Sequence, residues 1–428
     1  MMKKKKIPSA SKNIFRLATL NIPGGGQVTV ENGLAFVGHM DAPDGTTIID
    51  VKDPSNPKIL KQIFLDDGLS HTHKVRVAGN IMITNVEQAQ RHLLRRGEKL
   101  PDVSSQLASS LGRPPNDSEI AAALGLAENK LKDVRQFLNN GYNDGGFRVW
   151  DISDPSNPEL LSYVRTHGFG VHRFDMDENY AYISTEMEGY VGNILVIYDL
   201  ADPKKPVEVS RWHMPGQHIA AGEKPSWKGY KSRLHHALRV GDELWAAVWN
   251  AGFQVIDITD ISMPKTIASH NYHPPFPEPT HTALPCEQLI DGRRIAVVVD
   301  EEHEHTPGQP HAFLWIFDVT DLENIQPLST FYVSETESPW SQCKGRFGAH
   351  QYREKIDGTL VYVTWFSGGL RVVDIADPFS PKEVAHYIPE APEGYPSPQS
   401  NDVDVDENGV IYLLDRNHGL EILKLENV

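Results

Sequence analysis

The chain has 428 residues, with 41 Lys+Arg against 57 Asp+Glu, a formal net charge of −16. That balance argues against a nucleic-acid partner, which needs a basic face, and a hydrophobic share of 39% excludes a chain disordered throughout. Gly at 33 and Pro at 30 favour many short strands and turns over long helices.

No run approaches the roughly 18 apolar residues of a membrane helix, so no membrane partner is expected. The start, Met1 to Lys6, is basic, but polar Pro8 to Asn13 follow it where a signal peptide needs an apolar stretch. Cys286 and Cys343 alone make no disulfide framework. Two reduced thiols in a cytoplasmic protein are the expectation. Oligomeric state has no signal here.

In chain order, Asn13 to Leu20 reads first as a strand without a local partner. Then a phrase recurs: Ile49-Asp50-Val51-Lys52-Asp53-Pro54-Ser55-Asn56-Pro57 and Trp150-Asp151-Ile152-Ser153-Asp154-Pro155-Ser156-Asn157-Pro158. Weaker copies start at Tyr198-Asp199, Ile256-Asp257, Phe317-Asp318 and Val373-Asp374. Asp bonds turn N–H groups and Pro presets φ, so each copy reads as strand, tight turn, strand. A hairpin precedes each copy, as in His172 to Glu186 around Asp177-Glu178-Asn179. Each unit is therefore a four-stranded antiparallel meander. Such units set radially form an all-β propeller. Inner strands start near Gly26, His73, His172, His236, His281, His350 and Asn401, which predicts a seven-bladed β-propeller over residues 13–428. The last unit, ending at Leu420 to Leu425, lacks a fourth strand; Asn13 to Leu20 is expected to supply it and close the ring.

Residues 88–143 break the period within the second unit. Asn116-Asp117-Ser118-Glu119 signals a helix start, and Ile120, Leu124, Leu131, Val134 and Leu138 complete an expected αα-hairpin. The stretch Gly112 to Leu126 is similar to a helical repeat of bacterial sigma factors, although the acidic balance argues against a DNA role. As a connection between second and third strands, this small helical insertion falls on the face where the ring histidines begin. It is expected to form a lid.

Histidine is the main functional signal. His73, His172, His236, His281 and His350 occupy one position in five inner strands, with Gly26 and Asn401 in the other two. Imidazoles converging on one axis make a site for one transition-metal ion, Fe or Cu first, Mn or Zn otherwise. His71 and His235 stand beside two of these positions, and the sequence does not decide which of each pair faces inward. Second strands end on the same face with Glu87, Glu186, Asn250, Asp300, Glu301 and Asp415. Glu87, Glu186, Asp300 and Glu301 are the candidate catalytic acids or bases. Glu301-Glu302-His303-Glu304-His305 reads as a solvated loop.

The repeat phrase resembles the LVIVD-repeat family over nearly the whole chain apart from the insertion, which implies the propeller fold and little about activity. The ring resembles, in design only, metallo-propellers: the selenium-binding protein and methanethiol oxidase family, carotenoid-cleavage oxygenases and oligogalacturonate lyases. This analogy implies a metal-dependent oxidoreductase acting on a small-molecule substrate. A metal-dependent lyase or hydrolase and a non-catalytic propeller scaffold are the alternatives.

Overall fold

The Asp-Pro phrase builds the same turn each time. The carboxylate ending a third strand accepts the N–H two residues on: Asp50 from Lys52 at 3.0 Å, Asp151 from Ser153 at 2.8 Å, Asp199 from Ala201 at 2.7 Å. Asp257, Asp318 and Asp374 do the same with Thr259, Thr320 and Ala376. Three residues later a second Asp repeats the bond, as Asp53 with Ser55 and Asp154 with Ser156. These bonds satisfy turn donors that neither strand can reach. Immediately before the first Asp the pairing shifts register, at Ile48/Ile49, Val149/Trp150, Ile197/Tyr198, Val255/Ile256, Ile316/Phe317 and Val372/Val373. A bulge at that point sharpens the right-handed twist of each sheet.

A computed structural model of the chain describes residues 9–66, 68–227, 232–303 and 310–426. The basic start Met1 to Lys6, and Glu304 and His305 of the acidic loop, lie outside these. The protein is an all-β propeller. Among the described residues five sheets are four-stranded, and a nine-stranded one runs from Ser70 to Trp212, its two parts joined where Gly170 pairs with Glu87. Inner strands touch one after another: Gly25–Glu31 meets Val75–Ala78, which meets His167–Met176, then His236–Val240 and Thr280–Pro285. Ser400–Val405 closes the circuit against Gly25–Glu31.

The core lies between faces of neighbouring sheets. Leu284, Val297 and Leu314 pack against Tyr352, Val361 and Trp365 of the next sheet. Both faces of each sheet are thus covered, which is why strands such as Ile295–Asp300 read as unbroken apolar runs rather than alternations.

The chain's start serves two sheets. Ile14–Pro23 pairs with His418–Leu425, and Ala10–Lys12 pairs with Lys382–Ile388 of the preceding sheet. The outer strand of the last sheet therefore comes from the opposite end of the chain.

The insertion forms four helices: α1 (Arg91–Gly97), α2 (Leu100–Leu111), α3 (Asp117–Ala123) and α4 (Glu128–Asn140). Asn116 caps α3 in a reciprocal capping box with Glu119. The expected hairpin is the second half only. Leu100, Val103 and Leu107 give α2 an apolar stripe that packs on Ile120, Leu124 and Leu131. The insertion docks through α1 and α4, whose Leu94 and Val134 cluster with Phe169, and Phe137 stacks on Phe169 at 5.4 Å. Among the described residues no helix is long and apolar enough to cross a membrane.

Deleting residues 1–23 removes the outer strand of the last sheet and exposes its edge. The melting temperature followed by circular dichroism should fall by about 5 °C or more. An unchanged melting curve would show that this ladder adds nothing to stability.

Candidate metal centre

Six imidazoles form a continuous arc where the inner strands begin. Ring centroids step from His71 to His73 at 4.1 Å, to His172 at 5.4 Å, to His235 at 4.9 Å, to His281 at 4.0 Å and to His350 at 4.4 Å. All line one cavity of about 120 Å³, which Glu87 and Glu301 also face.

Of the five histidines read from the sequence, His73, His172, His281 and His350 reach this cavity, and His236 does not. His236 opens the strand His236–Val240, and successive residues there point to opposite sides. His235 faces the cavity, and His236 turns down the channel, where its Nε2 lies 3.0 Å from Glu354 Oε1. Of the four expected acids, Glu87 and Glu301 reach the cavity. Glu186 lies on the seam with the insertion, ion-paired to Arg95 and accepting the Phe169 N–H at 3.0 Å. Asp300 is buried inside its own sheet, accepting from Tyr272 at 2.5 Å and Trp315 at 3.0 Å. Burial pushes its carboxyl up to about 7.

The outer partner of each ring decides what its inner nitrogen can do. Carbonyl oxygens only accept, so a ring nitrogen bonded to one must carry the proton. His235 Nδ1 donates to His281 O at 2.9 Å, with His236 Nδ1 also 2.8 Å from it, and His350 Nδ1 donates to Asn401 O. His71 Nδ1 donates to Met40 O at 3.0 Å. His281 Nδ1 lies 2.9 Å from Thr282 Oγ1, whose own proton goes to Gln351 Oε1 at 2.9 Å, so Thr282 accepts from His281. In their neutral forms these four rings keep Nε2 as a bare lone pair. Burial, ahead of all other causes, drives His235, His281 and His350 well below the ordinary imidazole range, so these three are neutral.

The other two rings are set the opposite way. Asn85 is fixed by the Lys74 N–H on its oxygen and by Val171 O on its nitrogen, each at 2.8 Å. Its Nδ2 therefore donates to His73 Nδ1 at 3.2 Å, which leaves the His73 proton on Nε2, 3.8 Å from Glu87. Arg91, a donor only, lies 3.4 Å from His172 Nε2, so His172 Nδ1 donates to Glu87 Oε2 at 3.2 Å. Glu87 also accepts from Arg91 at 2.6 Å and lies 3.0 Å from His71 Nε2. Two acceptors at that distance require a shared proton or cation.

Glu301 completes the other half, 4.0 Å from His281 Nε2 and 3.8 Å from His350 Nε2. The ligand atoms of His235, His281 and Glu301 lie within 4.8 Å of one another, as do those of His71, His73 and Glu87. Donors about 2.0–2.2 Å from one tetrahedral ion stand roughly 3.5 Å apart, so small side-chain rotations suffice. Burial opposes ionisation of Glu301, yet His303 at 3.1 Å and Arg346 at 2.7 Å hold its carboxyl well below the usual range.

Below the arc the channel is plugged. Arg76 and Arg173 pair with Glu354, which also accepts from Gln351 at 3.0 Å and bonds His236. Sequence reading missed this plug and the cations Lys74, Arg91, Arg346 and Arg416 that line the cavity. Arg76, Arg173 and Glu354 sit one to four residues past a ring position, so the period that finds the histidines also reaches them.

The fold and its imidazole-lined mouth define a propeller with a polar centre. Its repeat is the LVIVD repeat, matched at residues 141–166, 175–213, 241–271 and 355–388. The chain carries LVIVD repeats, and these segments hold four of the six turns described above, those at Asp151, Asp199, Asp257 and Asp374. No curated protein matches the sequence. Among solved structures the chain is similar to the C-terminal WD40 domain of Sif2, at 9% identity and a TM-score of 0.53, over 97% of this chain and 99% of that one. It is also similar to a chain of the Mitotic Checkpoint Complex, at 9% identity and 0.55, over 100% and 99%. At such identity the likeness concerns the fold alone.

Beside the cavity, His311 sits between two carboxylates, 2.8 Å from both Glu302 and Glu335. Those bonds, Glu302 first, raise its pKa to about 9 against the opposing effect of burial. A raised folded pKa adds stability that is complete below about 6.5, the unfolded value, and is lost as pH rises through 9. Chemical denaturation between pH 6.5 and 9.5 should show that loss, and His311→Gln should flatten it. A His311 imidazole titrating near 6.5 by NMR would contradict this assignment.

Proposed function

We propose that the channel mouth is the metal centre of an enzyme acting on a small organic substrate, with His235, His281, His350 and Glu301 as donors. The observation that carries this reading is the outward bond of three Nδ1 protons, to His281 O, Thr282 Oγ1 and Asn401 O, beside one carboxylate. Ligand imidazoles in metal sites make that same outer bond, which fixes tautomer and aim. Three nitrogens and a carboxylate oxygen suit Fe(II), Mn(II) or Zn(II) better than soft Cu(I). A bound ion supplies Lewis acidity, and redox chemistry where the metal is Fe or Cu. Fe or Cu makes the protein an oxidoreductase; Mn or Zn makes it a lyase or hydrolase. On the facing wall His71 Nε2 and Glu87 Oε2 hold a proton between them, and this pair is the general acid–base.

The same reading extends to the architecture. Splitting the nine-stranded sheet at Gly170 gives seven blades, the last closed by Ile14–Pro23. Residues 88–143 serve as a lid, a role supported by Arg91 of α1 reaching both Glu87 and His172. Cys286 and Cys343 are free, in keeping with the cytoplasm. A second reading, a non-catalytic scaffold that binds a protein on its face, is favoured by the likeness to a WD40 domain and to a chain of a multiprotein complex.

Metal content separates the two. Protein purified without a His tag and reloaded with Fe(II), Mn(II) or Zn(II) should hold one ion per chain by elemental analysis. His235→Gln, His281→Gln and His350→Gln should each weaken binding by about 10-fold or more, while His236→Gln retains it. No bound metal under any loading would leave the scaffold reading. Equal loss in His236→Gln would place a donor on His236 and overturn this donor set. Replacing residues 88–143 with a short Gly-Ser turn should keep the metal but speed its removal by a chelator about 10-fold, because the lid excludes solvent. Unchanged removal would sink the lid.

A further inference from the structure

The imidazole arc is open across the first and last units, where the ring position is Gly26 and Asn401. Gly26 is required there. A Cβ at that point would stand 2.6 Å from His73 O and 2.8 Å from His73 Cβ. The close approach of the second inner strand therefore forbids a side chain.

Two basic side chains occupy the gap, and burial, ahead of all other causes, pushes Lys74 well below its ordinary range and Arg416 to about 10. Lys74 is 4% exposed, and its Nζ donates to Gly26 O at 2.8 Å. An ammonium has three N–H donors, and this is its one protein partner among the described residues. Arg416 Nη1 donates to Asn401 Oδ1 at 3.1 Å. Both line the cavity. Neither has a carboxylate oxygen within 4.0 Å among the described residues, whereas Arg91 and Arg346 are paired with Glu87 and Glu301. The nearby acid Asp402 is engaged, accepting the Val28 N–H at 2.9 Å. A desolvated cation without an anion is costly, and the cost falls when an anion joins it.

We propose that Lys74 and Arg416 bind the oxyanion of a small substrate, a carboxylate or a phosphate, and hold the rest of that molecule against the imidazole wall. The proposal rests on reading the mouth as a site for a small substrate, but the anion subsite stands without the metal. Charge-assisted bonds from an ammonium and a guanidinium suit either anion. The cavity of about 120 Å³ limits the ligand to a small molecule.

The test uses metal-free full-length protein titrated calorimetrically with inorganic phosphate and, separately, with malonate. Wild-type protein should bind at least one of them, and the tighter one assigns the substrate's anion. Arg416→Gln and Lys74→Met should each weaken binding by about 10-fold or more, with Arg416→Lys intermediate. Exposed Arg113→Gln should not change it. Metal content in Arg416→Gln should equal wild type, so loss of anion binding is not collapse of the centre. If Lys74→Met does not fold, Arg416→Gln against Arg416→Lys decides alone. No binding of either anion by wild-type protein, or equal binding by the Arg416→Gln variant, overturns the proposal. Anion binding in a protein that takes up no metal would overturn the metal reading and leave this one standing.

Discussion

Six imidazoles gathered round one axis can be neither all charged nor all unsatisfied, and the rest of the centre follows from that constraint. Each buried ring must find a partner for its N–H, and the partner's chemistry decides which nitrogen is left. Backbone oxygens of Met40, His281 and Asn401 take the outer proton of His71, His235 and His350. The Asn85 amide and the Arg91 guanidinium force the reverse on His73 and His172. Equivalent positions in a repeat thus acquire different chemistry from non-repeating neighbours. One half of the arc presents lone pairs beside Glu301; in the other, His73 and His172 present N–H groups to Glu87 and His71 faces it with a lone pair.

The buried carboxylates of the channel obey a matching rule. Each cavity carboxylate is braced by an arginine, Glu87 by Arg91 and Glu301 by Arg346. Glu354 below them gathers Arg76, Arg173 and His236. A buried ion that keeps its partners avoids the several kcal/mol, roughly 3–5, that follow from leaving one alone. Arg91 belongs to the insertion, so the helical excursion supplies part of this electrostatic balance rather than simply resting on it.

The repeat made the fold readable. Six copies of the phrase, four of them with Asp-Pro, carry their own turn bonds, and such local chemistry shows in a sequence without any knowledge of distant contacts. The histidine position was readable for the same reason, with a limit of one residue. His235 and His236 differ by the side of the strand they face, and strand phase is set by pairing with Glu243–Ala247, which sequence spacing does not encode. Asp300 and Glu301 pose the same ambiguity, and alternation sends one into the sheet and one into the cavity. Glu186 ends its strand as expected but is claimed by Arg95, a residue about ninety positions earlier in sequence. Contacts of that kind leave no periodic trace. The first half of the insertion was obscured because Lys99 and Pro101 begin α2 without a side-chain cap.

The asymmetry of the centre arises where the ring closes. Gly25–Glu31 and Ser400–Val405 come from opposite ends of the chain and meet as neighbouring inner strands. Their seam is sewn by side chains rather than by a ladder: Asp402 accepts from Val28 at 2.9 Å, Asp404 from Val30 at 2.7 Å, and Asn401 donates to Gly26 O at 3.0 Å. Asn401 makes that bond from the ring position itself, and its backbone oxygen takes the His350 proton. A histidine there lacks the amide that donates to Gly26 O. Gly26, pressed against His73, has no room for a side chain at all. The two units that join the ends of the chain are therefore the two that give up their imidazoles. Lys74 and Arg416 enter through the opening this leaves, so the closure of the fold also determines which side of the cavity is cationic.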